Sequence, residues 1–175
     1  MLNLNFSPFP VLITEQLILR QLTAADANEI FIHRSDERIL EFIDIPQAKS
    51  IEDAFAFIAK INKAIAENES IFWGLQLRNK PMLIGSICLW NISEAEAKAE
   101  IGYLLHPDFQ GKGHMQEAIA KVIDYGLQHM KLKIIVADVH PGNLKSIQLL
   151  KRNGFAYAAS AAGLEIYKLN NSKTG

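Results

Sequence analysis

The run with the clearest chemical potential is Gln110-Gly111-Lys112-Gly113-His114-Met115. Gly111 and Gly113 permit backbone dihedrals that a side chain forbids, and they let the main chain come close to a ligand. A helical apolar pattern begins at once, so the run opens onto a helix whose first N–H groups are unpaired and whose dipole is positive at that end. Loop and helix start together make a cradle for a phosphate or pyrophosphate, with Lys112 adding charge at the rim. A dinucleotide fingerprint would need a third glycine where Gln116 stands, and a Walker A loop would need four residues between its first glycine and Gly-Lys-Ser/Thr. On these residues alone, an ordinary two-glycine loop before a helix is the alternative.

The remaining reactive side chains exclude more than they assert. His33, His106, His114, His129 and His140 show no metal-ligand spacing, so no metal is expected. Cys88 is the single cysteine and lies in the apolar run Ile84 to Trp90, where a buried inert thiol is expected and no internal disulfide can form. A formal net charge of −1 gives no field that favours nucleic acid or an anionic membrane. The first eleven residues carry no Lys or Arg and are interrupted by Pro8 and Pro10, unlike a signal peptide, and no apolar stretch reaches membrane-spanning length. A cytoplasmic protein is the expectation.

The elements that position the cradle follow from periodicity. The 175 residues suffice for one core-bearing domain, read as 13–169, with a loosely held lead-in over 1–12 and a polar tail over 170–175. Thr14 to Leu22 reads as a first strand, and Thr23 and Asp26 open a helix as cap and first-turn acid. Ser50 to Asn68 is a helix with Ser50 capping, Asp53 three residues on, and Ile51, Phe55, Ile58, Ile61 and Ile65 at helical spacing. Strands over Ile71 to Arg78, Met82 to Ile92 and Ala99 to His106 make two antiparallel hairpins. Gly113 to Met130 is a helix with one apolar face, Lys133 to His140 a buried-type strand, and Asn143 to Asn153 a helix closed by Lys151, Arg152 and Gly154. Phe155 to Ser160 and Leu164 to Leu169 form a last hairpin. The strand–helix–strand passage requires a right-handed crossover and one parallel pair, so the fold class is α+β, or α/β in looser usage.

Three ordered motifs bear on a family. Glu100-Ile-Gly-Tyr103, Pro107, then Gln110-Gly-Lys-Gly113 and Glu117-Ala118 resemble the central Q/R-x-x-G-x-G/A motif of the GNAT (Gcn5-related) N-acetyltransferases. Met115 departs from the small residue preferred there. Asn143-Leu-Lys-Ser146, with Leu150 and Asn153-Gly154-Phe155, is similar to the family's N-x-x-S helix. Thr14-Glu-Gln-Leu17 with Leu19-Arg20 resembles the opening T-x-R-L-x-L-R of the ribosomal-protein-alanine N-acetyltransferase subgroup, with Gln16 where the first arginine stands. The resemblance spans Ile13 to Leu169.

That resemblance implies a mixed, mostly antiparallel sheet in which the strands at Ala99 to His106 and Lys133 to His140 splay apart. Acetyl-CoA would be the co-substrate, its pyrophosphate on Gln110, Gly111, Lys112, Gly113, His114 and Met115. Its pantetheine arm would pair with main-chain groups near Leu104 and Leu105, one N–H stabilising the developing oxyanion. Glu100 is the first candidate general base, or else a structural carboxylate; Glu165 is a second. Asn143 would contact the cofactor arm, cap its helix, or do both. Ser146 would assist the departing thiolate, whose reference pKa is about 8.5, or is an inert surface serine. Tyr103 reads as core packing, acid or substrate wall, and His106 and His140 as lining the substrate mouth. The acceptor is a protein or peptide N-terminal α-amine, or alternatively a small amine such as a polyamine, amino sugar or antibiotic. A non-catalytic CoA-binding module is the reading from another class. The resemblance also allows a homodimer.

Overall fold

The computed structural model describes residues 1–172. Eight strands form one sheet: β1 (Leu12–Ile13), β2 (Leu17–Arg20), β3 (Ile71–Leu77), β4 (Leu83–Ser93), β5 (Lys98–Leu105), β6 (Ile134–Val139), β7 (Ala156–Ala161) and β8 (Leu164–Asn170). Their order is β1-β2-β3-β4-β5-β6-β8-β7. Every pairing is antiparallel except β5 with β6, where Lys98, Ala99 and Glu100 face Ile134, Ile135 and Val136. Pairing ends there, although β5 continues to Leu105 and β6 to Val139. The strands therefore diverge, as the family resemblance implies.

The helices are α1 (Ala27–Ser35), α2 (Glu37–Leu40), α3 (Ile51–Ala66), α4 (His114–Asp124) and α5 (Leu144–Arg152). On one sheet face, Met115, Ala118, Ile119 and Val122 of α4 and Ile147 and Leu150 of α5 bury against Leu17, Leu75, Ile87 and Ile101. On the other, Ile30 of α1 and Ala54 and Ile58 of α3 enclose Leu22 and Leu83. Phe57 of α3 meets Phe72 edge-on at 5.6 Å on that second face. Ser50 caps α3 by accepting from the Asp53 amide at 3.3 Å, while Asp53 Oδ2 accepts from the Lys49 amide at 2.8 Å. Within α3, Ala54 is fully buried and Phe55 lies on the solvent side, contrary to the apolar-spacing assignment. The small alanine lets the helix approach α1, and the bulkier ring turns outward.

Four boundaries differ from the sequence reading. The strand expected over Thr14 to Leu22 is confined to Leu17–Arg20 and follows a separate β1 and a turn at Thr14, whose hydroxyl accepts from the Leu17 amide at 3.0 Å. The expected lead-in is docked rather than loose: Phe6 is buried, its amide donates to Asn68 Oδ1 at 3.0 Å, and the Trp73 indole donates to the Pro10 carbonyl at 2.8 Å. Helix α4 ends at Asp124 and widens into a π-turn over Tyr125–His129, where the Met130 amide reaches the Tyr125 carbonyl at 3.1 Å. Tyr125 meets the buried Trp73 ring edge-on at 5.4 Å, which fixes that turn in place. At the far end β8 includes Asn170, and the Asn171 amide donates to the Lys133 carbonyl at 2.8 Å. The polar tail expected over 170–175 therefore begins inside a strand, and residues 173–175 lie outside the described residues.

Candidate active site

A groove of about 610 Å³ extends from the glycine loop past the last residues of β5 to the start of α5, on the side where β5 and β6 have parted. Leu104, Leu105, Gln110, Gly111, Gly113, His114, Met115, Asn143 and Ser146 all line it. It thus gathers nearly every cofactor residue expected from sequence, together with Ser146. Lys112 is the exception: its Nζ donates to the Asp108 carbonyl at 3.1 Å and lies over the Phe109 ring, facing a separate hollow.

Gly111 and Gly113 hold φ of +75° and +80°, the left-handed region, and a Cβ added to either would meet no atom within 4 Å. The backbone there faces open space, and Gly113 is the N-cap of α4. That is the geometry of an anion cradle whose donors are main-chain N–H groups. Gln110 reaches back so that its Nε2 donates to the Leu105 carbonyl at 3.0 Å, tying the loop to the end of β5. Gln116 and Asn153 exchange a reciprocal pair of amide hydrogen bonds, both 2.9 Å, which straps the first turn of α4 to the last of α5. The Glu117 carboxylate accepts from Thr14 Oγ1 at 2.6 Å, from the Gln16 amide at 2.9 Å and from the Gln16 side chain. The motif's glutamate is therefore a clamp between α4 and the β1–β2 turn.

The main chain of β5 sorts its own donors. The His106 amide bonds the Ile84 carbonyl of β4 at 2.8 Å, and Gly85 and Ser86 face Leu105 and Leu104. Antiparallel alternation then commits Leu104 to β4 and directs the polar groups of Tyr103 and Leu105 toward the gap. Of the two leucines expected to serve the pantetheine arm, Leu105 presents its main chain and Leu104 contributes its side chain.

Side chains sort by face in the same way. Tyr103 points to the α4–α5 face, where its hydroxyl lies 2.5 Å from Ser146 Oγ. Burial pushes the Tyr103 phenol up to about 12. Asn143 caps α5, its Oδ1 accepting from the Ser146 amide at 3.3 Å, and it also lines the groove. Glu100 points to the opposite face, beside Trp90 and, across the gap, Asp138. Burial, followed by the charge of Asp138, holds its carboxyl above the usual glutamate range, although Asn91 Nδ2 at 3.5 Å pulls the other way. Glu100 is outside the groove lining but borders the point where β5 and β6 part. Next to it Gly102 leaves a bare floor, bounded by Cys88 Sγ and the Trp90 indole nitrogen, 3.2 and 3.6 Å from where a Cβ would stand.

Other expected residues fall away from the site. Glu165 accepts from the Tyr167 hydroxyl at 3.0 Å on β8. Burial raises the Cys88 thiol to about 12, which makes it inert. His106 does not line the groove; it packs against His33, whose own pKa burial and His106 push down to about 4. His140 stands near the mouth, 5.3 Å from the groove-lining Phe42. Among the described residues no three of His, Cys, Asp and Glu gather into a metal site, and no helix is long and apolar enough to cross a membrane. Arg38, Ile39, Glu41, Phe42 and Ile43, from the charged and apolar segment before Pro46, also line the groove, whereas the Tyr103–Ser146 bond carries no signal in the sequence.

The chain belongs to the GNAT family: the description "Acetyltransferase (GNAT) domain" matches residues 16–156. It is an acetyl-transferring enzyme. It is 35% identical to the N-acetyltransferase YoaA of Bacillus subtilis over 147 residues, covering 84% of this chain and 83% of that one. Its fold is shared with the ribosomal-protein-S5-alanine acetyltransferase of Vibrio fischeri, at a TM-score of 0.82 and 21% identity over 94% of this chain and 98% of that one. It is also shared with Mycobacterium smegmatis RimJ in complex with CoA-disulfide, at a TM-score of 0.80 and 16% identity over 90% and 83% of the two chains.

Proposed function

We propose that this chain transfers an acetyl group from acetyl-CoA to the N-terminal α-amine of a protein or peptide, by direct attack in a ternary complex. The observation that carries the reading is the path of the groove. It runs from the glycine loop to the end of β5, where β5 and β6 have parted, and is also lined by Arg38, Ile39, Glu41, Phe42 and Ile43. A donor laid along α4 and α5 therefore meets an acceptor arriving from the Glu100 face.

The thioester supplies an activated carbonyl. Main-chain N–H groups from Gly111 to Met115 receive the pyrophosphate, and the open space before Gly111 and Gly113 has room for it. The Leu105 N–H, aimed at the gap, bonds the thioester oxygen as charge develops on it. Glu100, directly or through a water, takes the proton that the attacking amine gives up, and its raised pKa makes it a stronger base than an ordinary glutamate. The carbon–sulfur bond breaks toward sulfur, and Ser146 hydrogen-bonds the developing thiolate. Glu100, Asp138 and the half-exposed Trp90 give the acceptor an acidic, aromatic-flanked floor suited to a cationic amine. The ribosomal-protein-like opening at Thr14 to Arg20, and the shared fold with a ribosomal-protein acetyltransferase, support a protein N-terminus.

Thiol release from acetyl-CoA is the test, measured over a panel of peptides with free N-termini, polyamines, amino sugars and amine antibiotics. Turnover confined to peptides with free N-termini is expected, and N-acetylated versions of the same peptides should be inert. Turnover with small amines alone would overturn the acceptor assignment.

A further inference from the structure

We propose that Tyr103 is a positioning residue for the transfer step: its phenol donates to Ser146 Oγ and thereby turns the serine proton into the groove toward the departing sulfur. The proposal rests on the reading of Ser146 as the thiolate's partner. Tyr103 sits on β5 immediately before the strand's last two residues, and Ser146 is the third residue of α5. Their oxygens are 2.5 Å apart across the groove that both line. That separation is at the short end for two hydroxyls. One proton occupies the shared bond, so the direction of that bond decides where the other proton points.

Two considerations set the direction. A phenol is the more acidic hydroxyl and hence the better donor, while an aliphatic alcohol oxygen is the better acceptor. A helical serine otherwise turns its proton onto a carbonyl one turn back, which would withdraw it from any ligand. Accepting from Tyr103 fills a lone pair and holds the oxygen at the groove wall, and the Asn143 cap fixes the serine's backbone from the other side. Burial, which keeps the phenol protonated to about 12, preserves the arrangement across the working pH range. In the transfer step the carbon–sulfur electron pair goes to sulfur, the Ser146 O–H bonds it as charge develops, and neither hydroxyl loses its proton. The thiolate is protonated by water after it leaves.

The experiment is a double-mutant cycle on the full chain with Tyr103→Phe, Ser146→Ala and the double variant. It reads kcat and the KM for acetyl-CoA at saturating acceptor, with thermal unfolding as the control for folding. Ser146→Ala should lower kcat about 100-fold and Tyr103→Phe about 10-fold, with KM for acetyl-CoA little changed in both. The double variant should be no slower than Ser146→Ala alone, because the tyrosine acts only through the serine. Additive losses, or Tyr103→Phe at native kcat, would overturn the proposal. Tyr103→Phe as slow as Ser146→Ala would overturn it in favour of the phenol as direct donor. Native kcat in Ser146→Ala would instead remove the underlying reading of Ser146.

Discussion

Replacing Gly113 with alanine separates the cradle from the rest of the groove. At φ +80° an L side chain is strained wherever its atoms go, and the new methyl would project into open space rather than into the core. The strain is about 1–2 kcal/mol. For a chain of this length each kcal/mol lowers Tm by about 2–4 °C, so a fall of about 2–8 °C is expected. Relief of the strain would rotate the Gly113 and His114 amides away from the ligand. Losing one hydrogen bond to a charged group costs about 1.5–3 kcal/mol, or about 10- to 150-fold in Kd. Titration calorimetry with acetyl-CoA reads this directly, and S-acetyl-pantetheine, which has no pyrophosphate, serves as the internal control. Acetyl-CoA should weaken by that factor while acetyl-pantetheine binds as before. Unchanged acetyl-CoA affinity beside a lowered Tm would refute the cradle, as would equal weakening of both ligands.

Other perturbations probe neighbouring parts of the same account. Glu100→Gln should lower kcat/KM about 100-fold or more and abolish the rise of activity with pH through the elevated Glu100 pKa. Because ionising a carboxyl whose folded pKa is raised opposes folding above that pKa, the same variant should unfold no more readily than the native chain at neutral pH. Glu117→Ala should cost about 1.5–3 kcal/mol in chemical denaturation, since it strips the partners of Thr14 and Gln16. Burial alone would raise the Glu117 carboxyl, but its bonds from Thr14 and Gln16 outweigh that and hold it below the ordinary range. Its contribution should therefore be full above the unfolded glutamate pKa of about 4.3 and disappear as pH falls through the lower folded value, so Glu117→Ala and native stabilities should converge in acid. Phe6→Ala should destabilise by about 3–5 kcal/mol if the first residues are part of the core, and a change under 1 kcal/mol would show that they are not.

Much of this architecture is legible in the sequence because it is local. The caps at Ser50 and Asn143, the apolar faces of α4 and α5, the two glycines and the strand hairpins each signal through neighbours within one or two turns of chain. What was not legible depends on partners far away. Phe6 carries no periodicity between asparagines and prolines, and its burial depends on Asn68 and the Trp73 wall some sixty residues on. The turn at Thr14 is held by Glu117, 103 positions later, so the strand read from Thr14 begins only at Leu17. Phe55 and Ala54 are equally compatible with a helical face until α1 is laid against them. At the site, motif spacing singled out glycine-loop residues that line the groove but could not assign strand faces. That Glu100 and Tyr103 serve opposite sides of one gap follows from their odd separation on β5 together with the packing of α5. The bond between Tyr103 and Ser146 needed both elements in place.

In the proposed binding mode, one groove holds the donor with its pyrophosphate on the glycine cradle and its thioester where β5 and β6 part. A crystal structure of the complex with acetyl-CoA, or with a non-hydrolysable thioether analogue, decides whether it does. Phosphate oxygens are expected within hydrogen-bond distance of the amides from Gly111 to Met115, the acyl oxygen on the Leu105 N–H, and sulfur within reach of Ser146 Oγ. Pyrophosphate bound instead in the hollow beside Arg78 and Lys112, or an acyl group remote from Glu100 and Ser146, would contradict it.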